Sequence, residues 1–134
     1  GWLYLNGANL EGANLSNAIL HSSNFDAHGF NQIIRVNLRD TNLTGATLRY
    51  STFESADLTR AVARNANFTS ANFQKAILHK ADLTNAEFRS ADLSEADFTG
   101  ATVGSDWRNY FQGARFSQTT WVDGKVYSAV PTTP

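Results

Sequence analysis

The residues with the most to offer chemically are three histidines, His21, His28 and His79, and a run of Asp and Asn residues that recur in front of Leu or Phe. Histidine is the side chain whose charge changes near neutral pH, so each one is a candidate acid, base or metal ligand. None has a carboxylate or nucleophile at motif spacing. His21 and His79 each follow a large apolar residue at a position that points outward, which reads as solvated surface histidine. His28 falls at an inward position of an irregular segment and reads as a satisfied, partly buried histidine. The acidic set Asp82, Glu87, Asp92 and Asp97 is spread around the chain's path and does not converge as a cation site requires. With no cysteine, thiolate metal sites, disulfides and cysteine nucleophiles are excluded. Walker, nucleophile-elbow, HExxH and GxGxxG patterns do not occur. These residues predict no catalytic site, no metal and no cofactor.

What positions these side chains is a period of five. Large apolar residues, taken as the centres of successive units, occur at Leu5, Leu10, Leu15, Leu20, Phe25 and Phe30. After a slip of three residues they resume at Leu38 and continue every fifth residue to Val103. After a second slip of three they resume at Phe111, Phe116 and Trp121. All nine Phe lie on centres, and Ala63 alone breaks the large apolar series. Two residues before a centre the side chain is usually Ala, Ser or Thr.

Five residues advance a helix by about 500°, which would scatter the centres around it. In a continuous strand they would alternate between faces. Only a corner within each unit keeps every centre on one side. The small residue and the centre are two apart and face the same way in an extended segment; the next pair turns the chain. Gly7, Gly12, Gly45, Gly100 and Gly113 stand two after a centre, where a turn needs positive φ. Asp or Asn before the centre can bond nearby backbone at the corner. The result is a coil with small and large apolar residues inside.

Units such as Ala56-Asp57-Leu58-Thr59-Arg60 and Ala81-Asp82-Leu83-Thr84-Asn85 resemble those of the pentapeptide repeat family, over residues 3 to about 122. The resemblance implies an all-β fold: a right-handed parallel quadrilateral β-helix (solenoid), four pentapeptides and so 20 residues per coil, about five to six coils. Treating each slip as a bulge, near 29–35 and 104–110, gives stacked columns. These read Leu15, Leu38, Leu58, Leu78, Phe98; Leu20, Leu43, Ala63, Leu83, Val103; Phe25, Leu48, Phe68, Phe88, Phe111; and Phe30, Phe53, Phe73, Leu93, Phe116. His28, Val36 and Asn109 occupy small-residue positions beside the slips, and Ala63 leaves an underfilled centre. Trp2, Leu3, Tyr4 and Leu5, and Trp121, Val122 and Tyr127, are expected to cap the ends of a single domain over 1–134, with a C-terminal cap or tail at 121–134. A monomer is expected over an end-to-end dimer.

Charge points to a surface. The net charge is −1, with 11 basic and 12 acidic residues, which argues against direct nucleic-acid binding. The basic side chains are concentrated in residues 31–80, and Arg39, Arg60, His79 and Lys80 are expected near one corner of the stack. With Arg35, Trp107 and Arg108 at the two slips, they form a candidate patch for an unknown protein partner, and the slips are the first places to look for a specific task. The function expected is a non-enzymatic structural or protein-interaction module. The alternative is a DNA mimic acting on DNA gyrase or topoisomerase, which the resemblance implies because some family members act that way. No apolar run is long enough to span a bilayer. The chain lacks Met, which is compatible with a processed exported protein of the periplasm or thylakoid lumen, or with a trimmed chain.

Overall fold

The computed structural model describes residues 8–19, 28–29, 32–33 and 36–132. Centres Leu5, Leu20, Phe25 and Phe30, the N-terminal cap residues Trp2, Leu3 and Tyr4, His21 and Arg35 lie outside them. The backbone is an all-β solenoid held by parallel pairing between residues 20 apart. Asn37 pairs with Asp57, Asn42 with Val62, Thr47 with Asn67 and Thr52 with Asn72, and the ladders keep this step as far as Thr102.

Four ladders run along the stack. The first contains Asn9, Asn37, Asp57, Ile77, Asp97 and Thr120; the second Asn14, Asn42, Val62, Asp82 and Thr102. The third contains Ile19, Thr47, Asn67 and Glu87; the fourth Thr52, Asn72, Asp92 and Arg115. Each rung is short because the chain turns at once. The carbonyl of one centre accepts from the amide three residues on, as in Phe68 to Ala71 and Leu83 to Ala86.

The third residue of each turn is left-handed. Asp40, Tyr50, Ser55, Arg60, Asn65 and their equivalents through Glu95 have φ near +57° to +59° or close to it, and Gly12, Gly45, Gly100 and Gly113 share the position. Left-handed backbone costs an L-residue roughly 1–2 kcal/mol, but here its amide donates to the next coil, as Arg60 does to His79 and Lys80 to Thr99. At Gly45, φ +67°, a Cβ would stand 2.5 Å from Asn17 Oδ1, so a larger residue there would have to displace the Asn17 side chain.

The interior is dry and filled. Phe53 stacks on Phe73 with centroids 4.6 Å apart, Phe68 on Phe88 at 4.9 Å, and Phe88 on Phe111 at 4.8 Å. Rings of the two columns meet edge to face, Phe68 against Phe73 at 5.1 Å, an arrangement that suits their quadrupoles. Ala63 is fully buried in the coil that supplies both Phe68 and Phe73, so larger neighbours occupy the space its side chain leaves. Inward Thr41 and Thr119 keep their hydroxyls satisfied by donating to the carbonyls of Leu10 and Leu93 in the adjacent coil.

The columns differ from expectation in the first coil. Asn9 pairs with Asn37 and Asn14 with Asn42, so Leu10 stacks on Leu38 and Leu15 on Leu43. The step there is 28 residues, not the 23 that a slip of three would give. The surplus chain contains an antiparallel hairpin of β1 (His28–Gly29) and β2 (Gln32–Ile33), with His28 opposite Ile33. His28 therefore belongs to the hairpin and not to an inward rung.

The second interruption follows the expected step, since Asp92 pairs with Arg115 and Asp97 with Thr120, each 23 apart. It folds as the one-turn helix α1 (Trp107–Tyr110). Asn109 is exposed on α1 and not inward. Trp107 is buried, 5.0 Å from the ring of Trp121 and 6.0 Å from that of Phe111. Trp121 also packs on Phe98 and Phe116 at 5.3 Å. The two indoles floor the lumen, and a hairpin of β3 (Thr119–Thr120) and β4 (Val126–Tyr127) crosses that end.

Candidate protein-interaction surface

The Asp and Asn residues of the ladders are corner braces. Their Oδ1 atoms accept from the amide two residues on, as Asn9, Asn14, Asn37, Asn42, Asp57, Asn67, Asn72, Asp82, Asp92 and Asp97 do. Where the brace is Asp, the Thr or Ser hydroxyl two residues on donates to the same oxygen, at 2.6 Å for Thr59 on Asp57 and 2.7 Å for Thr84 on Asp82, and likewise for Ser94 on Asp92 and Thr99 on Asp97.

The second carboxylate oxygen reaches the neighbouring coil. Arg39 Nη1 is 3.3 Å from Asp57 Oδ2, Arg64 Nε 2.6 Å from Asp82, Gln74 Nε2 2.6 Å from Asp92 and His79 Nε2 2.7 Å from Asp97. All four pairs are 18 residues apart: one coil less the two-residue step across a centre. Burial pushes these carboxyls up, but the bonds from Thr59 and Arg39 to Asp57, from Thr84 and Arg64 to Asp82, and from Ser94 and Gln74 to Asp92 outweigh it. All three pKa values lie below the ordinary carboxylate value. Asp97 is lowered likewise, against the same burial, by His79 and Thr99.

The structure brings Arg39, Arg60, His79 and Lys80 together along the first ladder and its corner. It also supplies the acids that the charge count could not place there. Arg60 grips Asp40 with two nitrogens, at 2.8 and 2.7 Å. With Arg39 held by Asp57 and His79 beside Asp97, three of the four basic side chains have a carboxylate within reach. Trp107 and Arg108 do not join this cluster. Trp107 is interior, which removes it from any surface; Arg108 is exposed on α1, its guanidinium over the Trp107 ring at 5.0 Å and donating to the Thr132 carbonyl. Arg35 lies outside the described residues.

A different set of arginines went unnoticed in the sequence. Arg49 donates to the Tyr50 hydroxyl at 3.3 Å, and Arg89 to the Asn109 carbonyl at 3.2 Å. Both project beside the third ladder, and neither partner carries charge. Their spacing of two coils was the available signal, but it has meaning only once the coil length is known. Among the described residues no group of His, Asp or Glu converges as a metal site would.

The pentapeptide repeat model matches in eight copies, over residues 3–27, 37–74 and 66–102. The chain belongs to the pentapeptide repeat family. A search of curated proteins gave no match. Solved structures similar to this pentapeptide repeat protein include HetL, involved in heterocyst differentiation regulation in the cyanobacterium Nostoc sp. strain PCC 7120, at 30% identity and a TM-score of 0.48. The match covers 92% of this chain and 55% of HetL. QnrB1, a plasmid-mediated fluoroquinolone resistance protein, is 19% identical with a TM-score of 0.41, covering 88% of this chain and 59% of that one. A pentapeptide repeat protein of the Arabidopsis thaliana thylakoid lumen is 23% identical with a TM-score of 0.32, covering 94% and 69%. The chain thus spans little more than half the length of the first two.

Proposed function

We propose that this chain is a non-enzymatic, protein-binding scaffold: one solenoid domain over 1–134, wound as a right-handed quadrilateral β-helix of four pentapeptides per coil and five to six coils. The observation that carries the reading is the division of labour between inside and outside. The lumen is filled by stacked side chains, and the outer polar residues near it are committed to bracing corners and linking coils. Such a body presents fixed side chains at a regular pitch of about 4.8 Å and offers a substrate no enclosed chemistry.

The partner is a protein. A net charge of −1 and neutralised arginines on the first ladder disfavour a nucleic-acid partner. Monomeric behaviour is favoured by the indole floor, because Trp107 and Trp121 are buried within the chain itself and are not left for a second copy to cover. No helix among the described residues is long and apolar enough to cross a membrane; a periplasmic or thylakoid-lumen setting remains compatible with the chain.

The second reading, mimicry of DNA toward gyrase, needs a continuous negative surface. Asp40, Asp57, Asp82 and Asp97 are each within ion-pair distance of a basic side chain, which favours the scaffold. Photo-crosslinking the intact chain in native extract, alongside a gyrase supercoiling assay, separates the readings. The scaffold reading requires a saturable protein adduct with supercoiling unaffected; inhibition or quinolone protection at sub-micromolar protein would replace it with mimicry.

A further inference from the structure

The described arginines of the four ladders divide by face, with Arg108 apart from them on α1. Those on the first, second and fourth ladders have carboxylates within reach: Arg39 and Asp57, Arg60 and Asp40, Arg64 and Asp82, Arg115 and Asp92 at 4.0 Å. Arg49 and Arg89, on the third, are exposed and bonded only to a phenol and a backbone carbonyl. A guanidinium with a neutral partner keeps its attraction for an anion, and charge-assisted bonds are about twice as strong as neutral ones.

The same side carries exposed apolar bulk. Ile19 is 75% exposed on the third ladder, and Tyr50, at the corner after Thr47, is 57% exposed with the Arg49 guanidinium 5.3 Å from its ring centroid. These residues sit in adjacent coils, because Ile19 pairs with Thr47. Between the two arginines lie only short polar side chains, Asn67, Thr69 and Ser70. Among the described residues Glu87 is the one acid on the ladder itself. Exposed Tyr and Arg beside apolar bulk is the composition of residues that dominate binding energy.

We infer that the third-ladder face is a docking site for an acidic segment of a partner protein. Its carboxylates engage Arg49 and Arg89, and an apolar side chain settles between Ile19 and Tyr50. The arginines stand two coils apart, about 10 Å, and acids on one side of an extended peptide recur about every 7 Å, within reach of two flexible guanidiniums. Two isolated cations do not track a phosphate backbone, so the occupant is a polypeptide and not a nucleic acid.

The inference rests on the scaffold reading but can fail without it. The probe is a fluorescein-labelled peptide of repeating Glu-Ser-Glu-Ser-Leu-Ser, which puts its acids and Leu on one face when extended, compared with its Gln-for-Glu counterpart by anisotropy with the full chain. The acidic peptide should bind saturably, and at least about tenfold more tightly than the neutral one. R49Q/R89Q should lose about tenfold or more, Y50S several-fold, and R60Q/R64Q, which removes equal charge from the other faces, less than twofold. Amide NMR shifts on titration should move at Thr69 and Ser70 and stay fixed at Lys80. No saturable binding, equal losses in the two double variants, or stronger binding of a single-stranded oligonucleotide would overturn the assignment. If a crosslinked protein partner persists undiminished in R49Q/R89Q, the scaffold reading stands and this face is not its site.

Discussion

The two interruptions of the repeat look alike as intervals between centres, yet they fold in opposite senses. The first adds eight residues to a 20-residue step and includes the antiparallel hairpin β1–β2, whose strands pair with each other and not with a coil. The second adds three and turns inward, so that Trp107 closes the lumen with Trp121. A break in apolar period therefore reports that chain has been inserted. The second insert completes the core because it carries the indole of Trp107, buried against Trp121.

Variants sharpen this contrast. The reference for damage to the lumen is Phe68→Asp, which buries an unpaired charge among stacked rings; it should cost several kcal/mol and abolish the cooperative thermal transition. Trp107→Ala should follow at about 3–5 kcal/mol, with a clear fall in melting temperature. If it melts like the parent, the second interruption is an external loop after all.

Acid should weaken the coil-to-coil links next. Asp57, Asp82, Asp92 and Asp97 have lowered folded-state pKa values, so their contribution is present above the unfolded carboxyl value near 4 and is lost as pH falls through the folded values. Melting temperature should hold from neutrality to about pH 5 and drop below pH 4; a flat profile to pH 2 would show that the braces contribute nothing. Deleting residues 28–35, which restores a step of 20 between Asn9 and Asn37, should change stability by about 1 kcal/mol or less. A loss matching that of Trp107→Ala would mean that the first interruption is also structural. Smallest of all, Thr69→Lys on the outer surface should stay within about 0.5 kcal/mol in the same melts.

The period of five made the direction of nearly every apolar side chain legible, along with the positive-φ corners and the bracing role of Asp and Asn. The first-coil register was not legible, because Phe25 and Phe30 keep the five-residue cadence up to the interruption. Cadence alone cannot say which centre lies over Leu38; backbone pairing decides it. Trp107 was misplaced because a residue between repeats has no phase, although an indole in a polar stretch was itself a sign of burial. The acids beside the basic cluster were hidden for a different reason. Arg39 and Asp57, or His79 and Asp97, are 18 residues apart, a separation that becomes proximity only after the coil has been counted out.

The indole floor also gives this molecule a history as well as a shape. A unit appended beyond Trp121 would meet a closed surface and find no centre to stack upon, whereas an extra 20-residue unit copied within the regular stretch from Asn37 to Thr102 finds the same neighbours above and below. A copied unit inside the array therefore keeps the packing intact, whereas one added after Trp121 would first have to displace the two indoles.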